Sequence, residues 1–367
     1  MPIQRYFQRH LQRHPNWSSS LLALTVGILS ACSPSAPTSQ TAPASAPASD
    51  LASPAATAAT GTNLQVVATS SVLCDLVQTV AAETIDLTCL VKAGVDPHAY
   101  EPTPADRKAI EDAQLVLYSG YDFEPSLIQL IQAASGSAPK VAVGEAAVPK
   151  PLMGVHEHEH RDEHGDAHAE EQQAEGAQAE AAEPDPHIWH NAQNGIQMVK
   201  VIQEQLTQVA PANADLYAQN AQALTAELTQ IDAWIQSQIA TIPTASRKLV
   251  TTHDALSYYS AAYDIPVEGA LQGISTEEKP TAARVKELAD EIKADQVPTI
   301  FAEITESTKL LETVAQAANV QISDQELFAD GLGEAGSDGD TYPKMLIANT
   351  KAVVEGLGGQ YSPFQPK

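Results

Sequence analysis

Short apolar stretches alternate with amphipathic stretches along most of this chain, and this alternation constrains the fold more than any other feature. Apolar stretches such as LQVVATS, IDLTCLV and LVLYSG are followed by stretches such as SVLCDLVQTVAAE, whose apolar residues recur every three or four positions. KVAVGEA and TIFAEI are further predicted strands. Strands that are apolar on both faces and alternate with helices form parallel sheets covered by helices on both sides. The sequence therefore predicts an α/β fold.

One long helical stretch, residues 212–241, interrupts the alternation, which then resumes. It contains no glycine or proline and is rich in strong helix formers. At about 1.5 Å per residue it would extend about 45 Å, more than one small domain needs. We therefore expect two α/β lobes, each a parallel sheet flanked by helices, with the long helix between them. The N-terminal lobe is predicted over residues 63–210, the linking helix over 211–241 and the C-terminal lobe over 242–367.

Residues 1–31 have the pattern of a targeting segment. Arg5, Arg9 and Arg13 precede an apolar run that is shorter than the roughly 20 residues needed to span a bilayer. The segment ends in Leu-Ser-Ala before Cys32, which resembles the bacterial lipobox, where the cysteine is lipidated. A short membrane anchor and an ordinary secretory signal are the alternatives. The Ser-, Ala- and Pro-rich residues 32–62 indicate a disordered tether, and we expect a periplasmic, lipid-anchored protein.

The two remaining cysteines are Cys74, on the first predicted helix, and Cys89, on the second predicted strand. An exported protein folds in an oxidising compartment, so these neighbours can pair as a disulfide. The alternative is that both are small buried apolar side chains.

Seven of the eleven histidines lie between residues 156 and 191. An acidic, low-complexity loop is predicted over residues 150–184, because its composition cannot build a core. Imidazoles and carboxylates together are metal ligands, so the loop either collects metal ions or is a solvated linker with incidental histidines. The loop histidines are His156, His158, His160, His164 and His168.

The net charge of −26 restricts the kinds of partner that the chain can have. Such an acidic chain is not expected to bind nucleic acid and suits a protein that handles cations. Much of the acidity lies in the histidine-rich loop, so it says less about the folded lobes.

Four metal-capable side chains follow predicted strands, two in each lobe: His98, His187, His253 and Asp330. Ligands of open α/β sheets bind at the carboxyl ends of strands, and pockets favour domain interfaces. Three neutral imidazoles and one carboxylate form a four-coordinate set that suits zinc. Each residue alone is a weak signal, since a single loop histidine is usually an ordinary polar residue.

Two of these histidines occur in a repeated Asp-Pro-His tripeptide, which strengthens the hypothesis. Asp96 and Asp185 can each orient the imidazole that follows, although Asp-Pro also simply shapes turns. His190, three residues after His187, is either a surface residue, a supporting residue or a further ligand.

From about Leu64 to Gly359 the chain resembles the zinc/manganese-type (ZnuA/TroA-like) solute-binding proteins of bacterial ABC transporters. The matching segments, in order, are GVDPHAYEPTPAD, DPHIW, TTHDALSYYSAAY, LQGISTEEKPTAARVKEL, IFAE and LFADGLGEAGSDGDTYPKM. The resemblance implies two pseudo-symmetric lobes joined by one long rigid helix, with a metal buried between the lobes and bound by His98, His187, His253 and Asp330. A histidine at position 253 and a histidine-rich insertion resemble the zinc branch, whereas the segment around Asp330 is similar to members that bind manganese or several metals.

We therefore expect a monomeric binding protein that captures Zn²⁺, with Mn²⁺ as the alternative, and delivers it to a membrane permease. It is not expected to be an enzyme. A zinc hydrolase is the main alternative, but four protein ligands leave little room for an activated water. A surface adhesin or metal buffer with the same fold is a further alternative.

Overall fold

The computed structural model describes residues 63–154 and 182–367, and the first of these ranges folds around a four-stranded parallel sheet. Its strands are β1 (Leu64–Ala68), β2 (Ile85–Cys89), β3 (Leu115–Tyr118) and β4 (Lys140–Ala142), in the order β2-β1-β3-β4. Each strand is followed by a helix: α1 (Ser71–Ala81), α2 (Pro104–Asp112), α3 (Pro125–Ala133) and the short α4 (Val143–Ala147).

The second range begins with α5 (Ala192–Val209) and α6 (Ala214–Ile239) and then repeats the strand–helix pattern. Parallel pairs form between β5 (Leu249–His253) and β6 (Val267–Gln272), and between β7 (Thr299–Ile300) and β8 (Gln321–Ile322). Phe301 N donates to Val250 O at 2.9 Å and joins the two pairs. The order β6-β5-β7-β8 therefore repeats that of the first sheet. The helices are α7 (Ser257–Tyr263), α8 (Ala282–Asp295), α9 (Thr308–Ala318) and α10 (Tyr342–Gly356).

Both faces of the first sheet are covered, as its continuous apolar strands predict. Successive side chains of a strand point to opposite faces. Val66 and Ala68 of β1 belong to one apolar cluster, which includes residues of α1 and α5, whereas Val67 belongs to a second cluster with residues of α2 and α3. The predicted α/β fold with parallel sheets is confirmed.

The long helix is α6, which has 26 residues and extends about 39 Å at 1.5 Å per residue. It packs against α1 of the first range and against α5 and α10 of the second. Its apolar side chains belong to the same buried cluster as residues of β1 and β5. The long helix that the sequence predicts is thus present, while the lobe boundaries at residues 210 and 241 stay a prediction. Among the helices of the described ranges, none has the length and apolarity to cross a membrane.

Two stretches differ from the predicted strands. KVAVGEA is a strand only to Ala142 and then turns into α4, where Gly144 N donates to Ser119 O at 2.8 Å. A Cβ at Gly144 would lie 2.5 Å from that oxygen, so only glycine allows this approach. TIFAEI is a continuous strand only over Thr299–Ile300. Glu303 forms an isolated parallel bridge with Leu327, and its carboxylate accepts from the backbone N–H of Thr252 on β5.

Candidate metal centre

Four loops or strand ends at the carboxyl edges of the two sheets position the predicted ligands. His98 lies in the loop after β2, and His187 precedes a 3₁₀ turn, Ile188–His190, that leads into α5. His253 is the last residue of β5, and Asp330 lies in the loop after β8. Because parallel strands end at a common edge, side chains that are far apart in sequence meet there.

The structure brings these four side chains together. His187 Nε2 lies 3.3 Å from His98 Nε2 and 3.4 Å from His253 Nε2. Asp330 Oδ1 lies 3.5, 3.2 and 3.1 Å from the Nε2 atoms of His98, His187 and His253. All four residues are at most 3% exposed. Three imidazole nitrogens and a carboxylate oxygen therefore surround one buried point.

The spacing of these atoms fits a tetrahedral metal ion. Zinc bonds of about 2.0–2.1 Å to nitrogen and oxygen place tetrahedral ligand atoms about 3.3–3.4 Å apart. The second oxygen of Asp330, Oδ2, is buried and has no hydrogen-bond partner among the described residues. A buried carboxylate oxygen without a partner is costly, and a cation beside it removes that cost. The residues present therefore fit a bound divalent metal.

Asp185 orients the imidazole of His187. His187 Nδ1 donates to Asp185 Oδ1 at 2.8 Å, and the backbone N–H of His187 donates to the same oxygen at 2.9 Å. A carboxylate at Nδ1 keeps the proton on that nitrogen and leaves Nε2 free as a ligand.

Glu303 has the same relationship to His253. Its Oε2 accepts from His253 Nδ1, and its Oε1 accepts from the backbone N–H groups of Thr252 and His253 at 3.0 and 3.1 Å. Sequence reasoning assigned no role to Glu303, although its position just after β7 was a signal of the kind that singled out His253.

Asp96 and His190, the other two residues predicted to support the ligands, do not bond to the imidazole of a ligand histidine. Asp96 Oδ1 accepts from the backbone N–H of His98 at 2.9 Å, so it contacts the ligand loop at its main chain. His190 is buried outside the four-atom cluster, and its Nε2 donates to Ala329 O at 2.8 Å. Burial, with a smaller effect of His187, lowers the pKa of His190 to about 3, so it is neutral. It holds the main chain beside Asp330.

The carboxylates control the protonation of the ligands. Burial by itself lowers the pKa of His253, but Asp330 and Glu303 outweigh it and raise this pKa well above its ordinary value. The pKa of His187 is also raised: burial opposes the shift, and Asp185 and Asp330 produce it. Burial raises the pKa of Asp330, but His253, His187 and His98 outweigh burial and hold it well below its ordinary value. The centre therefore attracts positive charge, as protons or as a metal ion.

An aromatic side chain covers the centre on one side. The ring of Phe123 is buried, and its centroid lies 5.0 Å from that of His98, 5.7 Å from that of His187 and 4.6 Å from that of Trp189. Exclusion of water by such a wall strengthens electrostatic interactions at the site. Sequence reasoning also missed Phe123, since one aromatic residue in a loop forms no pattern.

The remaining predicted sites lie away from the centre or outside the described ranges. Cys74 and Cys89 are joined by a disulfide between α1 and the end of β2. The signal segment, the tether and Cys32 fall outside residues 63–154 and 182–367, as do the loop histidines His156, His158, His160, His164 and His168.

The fold and the site together define a metal-binding protein built on two parallel sheets. Residues 66–356 match the family model described as "ZnuA: Zinc-uptake complex component A periplasmic". The chain belongs to this family of metal solute-binding proteins of ABC transporters. Members of the family bind a solute and catalyse no reaction, and they function outside the cytoplasm.

Relatives with different metals in their names are similarly close. The manganese ABC transporter substrate-binding lipoprotein PsaA of Streptococcus mitis is 31% identical over 300 residues, covering 82% of this chain and 91% of that protein. The metal ABC transporter substrate-binding lipoprotein FimA of Streptococcus parasanguinis is 31% identical over 294 residues, covering 80% and 89%. The solved periplasmic zinc binding protein TroA from Treponema pallidum has a TM-score of 0.70 and 32% identity, covering 81% of this chain and 99% of that one.

Family and geometry thus agree on divalent-metal binding for ABC transport.

Residues His156–His160 match the HExxH motif of zinc proteases, in which both histidines must lie on one face of a helix. They occur within an acidic, low-complexity stretch, and the family is not enzymatic.

Proposed function

We propose that this chain captures Zn²⁺ outside the plasma membrane and delivers it to an ABC-type permease. The observation that supports zinc most directly is the set of four atoms at the centre, three Nε2 atoms and one Oδ1 atom. Pairs of these atoms lie 3.1–3.5 Å apart. Zinc favours such four-coordinate nitrogen and oxygen sites, whereas Mn²⁺ favours six oxygen-rich ligands.

Capture requires deprotonated ligands and a dry site. His253 and His187 each have Nδ1 bound to a carboxylate, which presents Nε2 to the ion. The ionised Asp330 offsets part of the charge of a divalent cation. Delivery requires that these side chains separate, and they come from different halves of the chain, so a movement between the halves would open the centre.

Manganese is the second candidate. Oδ2 of Asp330 has no hydrogen-bond partner within residues 63–154 and 182–367, so this carboxylate can bind an ion through both oxygens, which raises the coordination number above four. PsaA of Streptococcus mitis, at 31% identity, is named as a manganese protein.

Competition between the two metals tests the choice. The chain is equilibrated with one equivalent of Zn²⁺ and increasing Mn²⁺, and the bound metals are counted by mass spectrometry after gel filtration. The proposal predicts one zinc per chain, displaced only by a large excess of manganese. Replacement of zinc by equimolar manganese would support the second candidate instead. The variant His253→Ala is the control that removes one ligand.

We further propose that a lipid on Cys32 tethers the chain to the membrane and that residues 156–168 collect zinc ions near the binding site. Deletion of residues 156–182 distinguishes a stretch that passes zinc ions to the binding site from one that only buffers them. If the stretch feeds the site, the deletion slows uptake only at limiting zinc. If uptake at limiting zinc is unchanged, the stretch has no feeding role.

A further inference from the structure

A single carboxylate connects a metal ligand of the first sheet to a surface loop of the second. Asp96 accepts two hydrogen bonds, one at each oxygen. Its Oδ1 accepts from the backbone N–H of His98 at 2.9 Å, and its Oδ2 accepts from the hydroxyl of Thr276 at 2.7 Å. Thr276 lies in the loop of residues 273–281, between β6 and α8. The loop that carries His98 is therefore connected through Asp96 to the loop that carries Thr276.

The other end of this connection is held beside a second ligand. Gln272 is the last residue of β6 and pairs in register with His253 at the end of β5. Its Nε2 donates to Thr276 O at 3.0 Å and to Glu278 O at 3.1 Å. Thr276 is therefore fixed relative to His253, and through Asp96 it fixes the backbone of His98.

We propose that Thr276 is a positioning residue that slows release of the bound metal by restraining His98. This inference rests on the proposed function. For the ion to leave, His98 must move away from the ligands of the second sheet, and the bond between Thr276 and Asp96 opposes that movement. Both residues are half-buried and the neighbouring Glu277, Glu278 and Lys279 are exposed. A protein that contacts this exposed loop can therefore break the bond and speed release.

Substitution of Thr276 should change the rate of zinc release and leave the chain able to bind zinc. A second attachment of the same loop, from Gly94 N to Leu332 O at 3.1 Å, involves only backbone atoms and persists when Thr276 is changed. Loss of one hydrogen bond to a carboxylate should accelerate dissociation about tenfold.

The test uses the full chain loaded with one equivalent of Zn²⁺. Zinc release is followed by stopped-flow absorbance after mixing with an excess of a chromogenic chelator. Thr276→Val removes the hydroxyl at similar volume and should release zinc about tenfold faster. Thr276→Ser retains the donor and should release zinc at the wild-type rate. The matched control is Thr313→Val, which removes an exposed hydroxyl that donates to Lys309 O within α9.

A second substitution keeps the test decisive. Asp96→Asn weakens the same bond and also the bond to the backbone of His98, so adding Thr276→Val to Asp96→Asn should accelerate release little further. The inference would be overturned, with the proposed function intact, by either of two results: Thr276→Val releases zinc at the wild-type rate, or Thr276→Ser releases zinc as fast as Thr276→Val. A wild-type chain that binds no zinc would overturn both.

Discussion

His253 donates a hydrogen bond from Nδ1 to Glu303 Oε2, and this bond determines which nitrogen faces the metal centre. With the proton held on Nδ1, Nε2 presents a lone pair 3.1 Å from Asp330 Oδ1. Glu303 is itself fixed by two backbone N–H groups at its other oxygen. The orientation of His253 therefore depends on Glu303, a carboxylate that is not one of the four residues around the metal centre.

Replacing Glu303 should weaken metal binding although it is not among the four converging residues. In Glu303→Gln the side chain loses its charge and one of its acceptor oxygens, so His253 is less basic and less firmly oriented. Changes of this kind typically reduce metal affinity by roughly 10–100-fold. The measurement is the zinc dissociation constant from chelator competition. Glu312→Gln, an exposed change on α9, is the control, and equal affinities for the two variants would contradict this role.

Metal affinity should fall as the pH falls, and the fall should begin above the ordinary pKa of histidine. The pKa of His253 is raised well above that value, with burial opposing and Asp330 and Glu303 causing the shift. The metal-free centre therefore holds a proton that the ion must displace. Affinity should change by about tenfold per pH unit for each displaced proton. Asp330 stays ionised and contributes none of this dependence. Calorimetric titrations at pH 8, 7 and 6 measure it, and a constant dissociation constant would contradict the prediction.

Glu124 should make the metal-free protein less stable as the pH rises. Burial raises its pKa from 4.5 to about 7, against opposing hydrogen bonds from Thr69 and Ser119. Because the folded-state pKa exceeds the unfolded one, this stabilisation is complete below pH 4.5 and is lost through about pH 7. The loss amounts to roughly 3 kcal/mol.

Glu124→Gln isolates this contribution, because the amide retains an acceptor and does not titrate. Relative to the unaltered chain, the variant should gain roughly 3 kcal/mol between pH 5 and pH 8. Urea unfolding of both proteins in the presence of a chelator provides the free energies of unfolding. Parallel pH profiles for the two proteins would show that Glu124 does not titrate in this range.

The disulfide should contribute stability but not affinity. Cys74 and Cys89 are 15 residues apart in sequence, and closing a loop of this length stabilises a fold by about 3 kcal/mol. The double variant Cys74→Ser, Cys89→Ser should lose about this free energy of unfolding in urea and keep its zinc dissociation constant. Alkylation of Cys74 and Cys89 in the unreduced, unfolded chain would instead show that these two cysteines are unpaired.

His98, His187, His253 and Asp330 were singled out from the sequence by their position at strand ends, together with the repeated Asp-Pro-His tripeptide and the family resemblance. The same reasoning did not single out Glu303, because the predicted strand TIFAEI enclosed it, nor Phe123, which belongs to no periodic pattern. An apolar stretch does not reveal where a continuous strand ends. Contacts between distant side chains depend on packing that the alternation alone does not specify.

Diffraction at the zinc absorption edge from crystals of the one-to-one zinc complex would locate the bound ion. We predict one strong anomalous peak about 2.0–2.1 Å from His98 Nε2, His187 Nε2, His253 Nε2 and Asp330 Oδ1. An anomalous peak elsewhere in the chain, with none among these four atoms, would show that His98, His187, His253 and Asp330 do not form the zinc site.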